Sequence, residues 1–256
     1  MTAHAFEFDG PRGYRLAGRL EHPDGPPQGW AILAHCFTCG KDSLAATRLA
    51  RALAARGIGV LRFDFAGLGN SGGSFADATF AADVDDLIAA GAAMTRDGKA
   101  PSLLVGHSLG GAAVLMAAGA MPDLRAVATL GTPVDTRHVL HQFDTDSLHT
   151  IAAQGQAEVM LAGRPFVVRK SFIDDLAHHD LEARIAQLRI PLLVLHAPLD
   201  ATVGIDNAAR IFAAAKHPKS FISLDKADHL LTRRADADYA AAMIATWASR
   251  YLVPEA

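Results

Sequence analysis

The segment that most constrains this chain places a serine between two glycines, where an apolar strand meets an apolar helix. Residues 101–105 form a short apolar run, and residues 109–121 are rich in Ala, Leu and Met. The junction, Gly106-His-Ser-Leu-Gly110, has the pattern G-x-S-x-G. A direct turn from strand to helix strains the middle residue, and side chains two positions to either side would collide. The pattern therefore predicts that Ser108 projects at a helix N-terminus, where free N–H groups favour a developing negative charge.

Length and charge narrow the class of protein. A chain of 256 residues that is 50% hydrophobic can bury a sizeable core, and we expect one domain over residues 1–256. Its 24 basic and 27 acidic residues leave a net charge of -3 with no basic stripe, so neither nucleic acid nor a membrane is an expected partner. Residues 1–10 lack the apolar core of a secretion signal, and a cytoplasmic location is predicted.

The two cysteines, Cys36 and Cys39, are too few for a disulfide framework, and a reducing cytoplasm is the simplest interpretation. Their C-x-x-C spacing also occurs in redox pairs and in zinc sites. Here the second pair of metal ligands is absent and the flanking pattern is not that of thioredoxin. We therefore expect no metal and no cofactor, and we keep a redox role of this pair as an alternative.

Strands and helices alternate along most of the chain. Residues 6–9 and 14–21 have the alternation of an edge hairpin, and from residue 30 onward apolar strands are followed by helical segments. Further strands are predicted at 30–35, 59–65, 101–105, 126–130, 191–196 and 220–224, and helices at 44–56, 80–94, 109–121, 206–216 and 236–251. This order predicts an α/β fold with a mostly parallel eight-stranded sheet and helices on both faces.

Residues 134–189 interrupt the alternation. They contain a helical segment near 144–154, a hairpin-like run at 158–169 and another helix from Ser171. An insertion of this length is predicted to cap the C-terminal edge of the sheet, where open α/β sheets bind ligands. Its apolar residues, among them Phe143 and Phe166, are candidate contacts for a small to medium apolar group. The alternative is that they form the core of the cap itself.

A glycine-rich loop follows the strand at 59–65. Gly67, Gly69 and Gly72 match G-x-G-x-x-G, a pattern of dinucleotide-binding folds. That fingerprint requires a helix to open at the third glycine, whereas residues 73–77 delay the helix here. We interpret the segment as a loop that shapes the surface rather than as a nucleotide site.

A nucleophilic serine needs a base to take its proton and an acid to hold that base in the correct tautomer. When the serine lies at a strand–helix turn of the G-x-S-x-G type, the acid and the base come from later loops, in the chain order serine, acid, histidine. Asp200 follows the last strand but one and His229 follows the last strand, so they are the predicted acid and base. Asp135 is the rival acid, while Asp225 and Asp228 share the loop of the base and are expected to be structural.

The same chemistry needs two backbone N–H groups that stabilise an oxyanion. One is expected from Leu109, directly after the serine, and the other from Phe37, in the loop after the first parallel strand. His35, Cys36 and His107 adjoin these positions and complete the predicted substrate contacts.

Five segments carry a resemblance to a known family: His35-Cys-Phe-Thr-Cys-Gly-Lys-Asp42, residues 62–71, Gly106-His-Ser-Leu-Gly-Gly111, residues 162–166 and residues 217–221. They resemble the α/β-hydrolase half of bacterial fusions between an α/β hydrolase and an OsmC peroxide-reducing domain, over nearly the whole chain. The resemblance implies a serine hydrolase of esterase type and transfers the three catalytic roles to the serine, carboxylate and histidine predicted above. Because the sequence ends after its last helix, the peroxide-reducing activity is not expected.

Two functions follow as hypotheses. The first is a serine esterase that cleaves carboxylic esters with small to medium acyl groups, and a peptidase, thioesterase or acyltransferase would use the same machinery. The second is a non-catalytic or redox-sensing binding protein that kept the fold. A dehalogenase or epoxide hydrolase would need aspartate in place of Ser108. The natural ester and the oligomeric state are not predicted.

Overall fold

The computed structural model describes residues 1–252, and a large β-sheet forms its centre. The strands are β1 (Thr2–Asp9), β2 (Arg15–His22), β3 (Gly29–Ala34), β4 (Ile58–Phe63), β5 (Pro101–His107), β6 (Ala126–Leu130), β7 (Gln156–Leu161), β8 (Arg164–Arg169), β9 (Leu192–His196) and β10 (Lys219–Ser223). Eight of them form one sheet in the order β1-β2-β4-β3-β5-β6-β9-β10, and β7 pairs with β8 in a separate antiparallel hairpin.

The main sheet is parallel from β4 to β10, and the pairs β1–β2 and β2–β4 are antiparallel. The helices are α1 (Leu44–Ala54), α2 (Phe80–Arg96), α3 (Leu109–Ala117), α4 (Thr145–Gln154), α5 (Lys170–Leu176), α6 (Leu181–Gln187), α7 (Asp206–Ala214) and α8 (Arg234–Leu252). The predicted fold class, an α/β fold with a mostly parallel eight-stranded sheet, is confirmed.

Both faces of the central strands are buried, as parallel strands require. Every residue of β4, β5, β6 and β9 is buried. Because successive side chains point to opposite faces, Leu104 packs in the core on the side of α2 and α3, whereas Leu103 and Val105 pack on the side of α1 and α8.

Helix starts follow local capping chemistry. The side chains of Thr79, Asp144 and Asp180 each accept a hydrogen bond from the backbone N–H three residues later, at the starts of α2, α4 and α6. Within residues 1–252, no helix combines the length and apolar character that crossing a membrane demands.

The predicted cap segment lies between β6 and β9. It consists of a 3-10 segment at Thr136–Gln142, helix α4, the β7–β8 hairpin, and helices α5 and α6. Helix α5 packs on α2, α6 packs on α3, and β8 packs on the 3-10 turn at Phe75–Asp77. The segment is thereby anchored to the helices on the α2–α3 face of the sheet.

Candidate active site

Ser108 occupies the sharp turn between β5 and α3. Its backbone has φ 56° and ψ -126°, a strained conformation for a residue with a side chain. A Cβ at Gly106 would lie 2.5 Å from the carbonyl oxygen of Gly110, and a Cβ at Gly110 would lie 2.3 Å from that of His35. Real Cβ atoms do not approach backbone oxygens so closely, so both positions require glycine. This is the steric reason for the G-x-S-x-G pattern.

A hydrogen-bonded chain of three side chains runs from this serine. His229 Nε2 lies 3.0 Å from Ser108 Oγ, and His229 Nδ1 lies 2.7 Å from Asp200 Oδ2. These side chains come from the turns after β5, β9 and β10, whose carboxyl ends share one edge of the sheet. The structure therefore brings together the predicted nucleophile, base and acid.

The surroundings of Asp200 favour its ionised form. Its Oδ1 accepts hydrogen bonds from the backbone N–H groups of Thr202 at 2.9 Å and Val203 at 2.8 Å. Burial opposes ionisation, but the hydrogen bonds from His229 and from the Val203 N–H outweigh it and hold the pKa of this carboxyl below its ordinary value. An ionised acceptor at Nδ1 leaves Nε2 free to take a proton from the serine.

The other acidic candidates are engaged elsewhere. Asp135 is bonded to its neighbour Arg137, with Oδ2 2.7 Å from Nη2. Asp225 Oδ1 lies 3.1 Å from Ser223 Oγ, and Asp228 caps the backbone N–H of Thr232 at 3.0 Å.

Phe37 and Leu109, the predicted oxyanion donors, line one narrow cavity beside the serine turn. In the described part of the chain, neither backbone N–H donates a hydrogen bond to a protein acceptor. Two unused N–H groups beside one cavity can stabilise a negative oxygen.

The two cysteines form a disulfide in the loop that contains Phe37. The Cα atoms of Cys36 and Cys39 lie 5.4 Å apart, and the Cys39 N–H also donates to the Cys36 carbonyl at 3.1 Å. The reducing cytoplasm inferred from the sequence implies free thiols, so this bond departs from that interpretation. It cross-links the backbone on both sides of the predicted oxyanion donor.

A buried ion pair, which sequence reasoning missed, holds the other end of this loop. Lys41 Nζ lies 2.7 Å from Asp64 Oδ2, and the Lys41 backbone N–H donates to Asp64 Oδ1 at 2.7 Å. The glycine-rich loop closes around this carboxylate: the Asn70 N–H donates to it at 2.9 Å, and a Cβ at Gly69 would lie only 2.2 Å from it. The glycine-rich loop thus encloses a carboxylate, whose negative charge is unfavourable to a dinucleotide phosphate.

A second buried cation lies behind the same loop. The guanidinium of Arg62 donates to Glu21 Oε1 at 2.9 Å and to Asp42 Oδ1 at 2.7 Å, and it also bonds the Lys41 carbonyl oxygen. Buried charges are tolerated when they are paired in this way. The only sequence signal for this network was the presence of charged residues beside two apolar strands.

The predicted substrate contacts occupy three different places. His35 and Cys36 line the cavity, whereas His107 lies beneath the base and is not part of the lining. Phe143 and Phe166 pack behind the lining: the Phe143 ring centroid is 6.3 Å from that of Phe37, and the Phe166 centroid is 4.5 Å from that of Phe75.

His107 supports the loop of the base. It is buried, its Nε2 donates to the His229 carbonyl oxygen at 2.7 Å, and the two rings lie 5.1 Å apart. Burial lowers the pKa of His107 to about 4, and the nearby charge of His229 contributes further. His107 is therefore neutral in the folded protein at neutral pH.

This lowered pKa predicts acid sensitivity. An unfolded histidine titrates near its ordinary value of 6.5, so the unfolded state gains the proton first as the pH falls and stability is lost between about 6.5 and about 4. From pH 7 to pH 5 we expect His107 to remove about 2 kcal/mol of unfolding free energy. His107→Gln keeps an N–H donor without the titration, so urea unfolding at the two pH values should show a smaller difference than in the wild type.

The matched control for this measurement is His178→Gln, at an exposed position of the cap. It should reproduce the wild-type pH dependence. Buried His35 and His196 also have lowered pKa values, and they remain in every variant, so the comparison isolates His107. An unchanged pH dependence in His107→Gln would contradict the assignment.

A mostly parallel eight-stranded sheet, with a serine at a strand–helix turn facing a histidine and a carboxylate from later loops, is the architecture of the α/β hydrolases. A sequence profile of the alpha/beta hydrolase family matches residues 31–242, and the chain belongs to this family.

Individual relatives agree with this membership. A crystal structure of the esterase domain of a Rhodothermus marinus protein is 44% identical, with a TM-score of 0.80, and the match covers 98% of this chain and 100% of that one. The rat mitochondrial palmitoyl-protein thioesterase ABHD10 is 27% identical over 209 residues, 77% of this chain and 66% of the relative. This chain thus spans less than two thirds of that protein. These two relatives are an esterase domain and a thioesterase, and both are therefore hydrolases.

A more distant structure shares the fold. Est1E from Butyrivibrio proteoclasticus, determined with ferulic acid bound, has a TM-score of 0.82 at 18% identity, and the match covers 97% of this chain and 99% of that one.

Proposed function

We propose that this protein is a serine esterase that hydrolyses carboxylic esters with small to medium apolar acyl groups. The observation that carries the proposal is the unbroken hydrogen-bonded chain from Ser108 Oγ through both nitrogens of His229 to Asp200 Oδ2, at 3.0 and 2.7 Å. A serine whose proton acceptor is itself oriented by a buried carboxylate is an activated nucleophile.

The reaction proceeds in two halves. Ser108 Oγ attacks the ester carbonyl while His229 Nε2 takes its proton, and the N–H groups of Phe37 and Leu109 stabilise the oxyanion. His229 then returns the proton to the leaving alcohol, which leaves an acyl group on the serine. A water molecule, activated by the same imidazole, releases the acid. Losing one oxyanion donor would cost roughly 3 kcal/mol of transition-state stabilisation.

The cavity beside the oxyanion donors favours a compact acyl group. Its lining is largely apolar and aromatic, with rings from Phe37, Phe75 and Phe172, and its free volume is about 10 Å³, room for roughly one water molecule. An acyl group therefore enters only by displacing aromatic rings of the loop and the cap. This favours short acyl groups over a palmitoyl chain, although a thioesterase would use the same triad.

The resemblance to the hydrolase half of OsmC fusion proteins fits an esterase and adds no second activity to the proposal. Peptidase and acyltransferase activities would also use the same acyl-enzyme, so the leaving group and the acceptor must be determined by experiment.

The test combines a fluorophosphonate probe with p-nitrophenyl esters. We expect the probe to form one covalent adduct, which peptide mapping assigns to Ser108, and we expect turnover to be highest for acetate to hexanoate and to fall steeply at palmitate. An adduct on another serine, or an unlabelled and inactive wild type, would overturn the proposal. Fastest turnover of the palmitate would overturn the assigned acyl size.

Redox sensing is the second candidate, and the Cys36–Cys39 disulfide favours it because the bond cross-links the loop that contains Phe37. Reduction by a small dithiol converts the disulfide to two thiols as the dithiol becomes a cyclic disulfide. We expect the loosened loop to lower kcat/KM by about tenfold, as partial loss of an oxyanion donor would, and reoxidation should restore it. The Cys36→Ser/Cys39→Ser variant should not respond to the dithiol. Equal turnover of oxidised, reduced and variant protein would remove this candidate.

A further inference from the structure

The tip of the β7–β8 hairpin lies against the loop that contains Phe37. Its two turn residues, Ala162 and Gly163, have φ angles of 49° and 75°, and two consecutive positive φ angles are typical of a tight hairpin turn. The next residue, Arg164, donates a hydrogen bond from Nη2 to the carbonyl oxygen of Thr38. The cap segment therefore reaches the predicted oxyanion loop through this side chain.

Thr38, the residue that accepts this bond, has an unfavourable backbone conformation. Its φ is 56°, in the left-handed region that a β-branched residue adopts only at a cost, and the residue is buried. The Cys39 N–H donates to the Cys36 carbonyl oxygen at 3.1 Å, so residues 36–39 form a tight turn with Thr38 in its third position. Turns with a positive φ at that position normally have glycine or asparagine there. Contacts from outside the turn must therefore maintain the conformation of this threonine.

Arg164 supplies such a contact. A guanidinium is always charged, and it binds an oxygen acceptor more strongly than a neutral donor does. The bond fixes the direction of the Thr38 carbonyl group, which would rotate away if Thr38 relaxed to a negative φ. Within residues 1–252, Arg164 has no carboxylate at ion-pair distance, so its charge acts on this carbonyl oxygen.

Aromatic packing fixes the place of the guanidinium. Arg164 Cζ lies 5.2 Å from the ring centroid of Phe166, within the range of a cation–π contact. The Phe166 ring centroid is 4.5 Å from that of Phe75, which in turn is 5.8 Å from that of Phe37. One cluster of rings thus holds both the guanidinium of the cap and the side chain of Phe37.

From these contacts we infer that Arg164 is a positioning residue, which holds the turn at residues 36–39 in the form that presents the Phe37 N–H to the oxyanion. Phe37 precedes Thr38 in a four-residue turn that a disulfide closes, so few other residues can absorb a rotation at Thr38. Because Arg164 acts only while the hairpin lies on the loop, docking of the cap and formation of the oxyanion site are coupled. The inference rests on the proposed esterase function and adds a residue to its machinery.

The test uses Arg164→Met, which keeps the apolar part of the side chain and removes the donor. For p-nitrophenyl butyrate we expect kcat to fall about tenfold, a part of the roughly hundredfold or more that loss of a whole oxyanion donor costs, while KM stays within about twofold. A butyl trifluoromethyl ketone forms a hemiketal with Ser108 whose oxygen occupies the oxyanion site, so its inhibition constant should rise by about the same factor as kcat falls. Arg164→Lys keeps a charged donor without the planar guanidinium and should give intermediate values.

Arg169→Met is the matched control. Arg169 lies on the same strand, β8, but it bonds Asp77 in the 3-10 turn at Phe75–Asp77 instead of the loop that contains Phe37. An exposed ion pair of this kind contributes little to stability. Its loss should therefore leave kcat and the inhibition constant of the ketone within about twofold of the wild type.

Unchanged kcat and ketone inhibition in Arg164→Met, with an active wild type, would overturn the role of Arg164 and leave the esterase intact. An equal loss in Arg169→Met would also overturn it, because the hairpin as a whole and not this donor would then matter. If thermal unfolding shows that Arg164→Met does not fold, Arg164→Gln decides: its shorter, uncharged side chain should lower kcat in the same way, and wild-type values would overturn the role. If the wild type neither hydrolyses the ester nor reacts with the fluorophosphonate probe, the proposed function fails and this inference fails with it.

Discussion

Ser108→Ala is expected to lower kcat for p-nitrophenyl butyrate by a factor on the order of 10⁶, the scale seen when the nucleophile of a triad is removed. The reason is the loss of the acyl-enzyme: the alanine methyl group cannot attack, and His229 is left with no proton to accept. Single-turnover measurements should show no burst of p-nitrophenol. The fluorophosphonate probe should no longer label the protein.

The fold should survive this substitution, because the backbone strain at Ser108 lies in the turn and alanine accepts it no worse than serine. Thermal unfolding should therefore change little. Ser249→Ala, at an exposed serine of α8, is the matched control and should keep wild-type turnover. A fall of less than a hundredfold in Ser108→Ala would show that another group performs the attack.

The sequence allowed the fold class to be predicted because two kinds of local information agreed. Alternating apolar strands and helices indicate a parallel sheet, and a parallel sheet places the carboxyl ends of its strands at one edge. That rule alone places the turns that contain Ser108, Asp200 and His229 near one another, although they are far apart in the chain. The structure shows their side chains within hydrogen-bonding distance, while their catalytic roles remain a proposal.

Features that depend on packing between distant segments were not predictable in this way. The pairing of Lys41 with Asp64 needs the loops after two adjacent strands to fold onto each other, and neither residue type signals a partner. Asp83, Asp85 and Asp86 look alike in the sequence, yet it is Asp86 that the fold pairs with Arg12 and with the Ala66 N–H. The C-x-x-C spacing of the cysteines suits free thiols and a disulfide equally, so only the folded loop distinguishes them.

The second large effect is expected from Asp200→Asn, which should lower kcat by about 10⁴-fold, as loss of the correct histidine tautomer does in such triads. Two backbone N–H groups, from Thr202 and Val203, donate to Oδ1. The asparagine must therefore place its oxygen there and turn its NH₂ group toward His229 Nδ1. That nitrogen becomes the acceptor, the proton moves to Nε2, and His229 can no longer take the proton of Ser108.

Asp135→Asn distinguishes this account from the rival assignment of the acid. Asp135 is bonded to Arg137 at 2.7 Å, so its replacement should leave kcat within about twofold of the wild type, as for surface changes away from the chemistry. Both variants are measured with p-nitrophenyl butyrate, and their thermal unfolding shows that each is folded. The two backbone N–H groups leave the amide of the Asp200→Asn side chain no other orientation. A loss of less than tenfold in Asp200→Asn, or an equal loss in Asp135→Asn, would therefore mean that the hydrogen bond at His229 Nδ1 does not control the histidine tautomer.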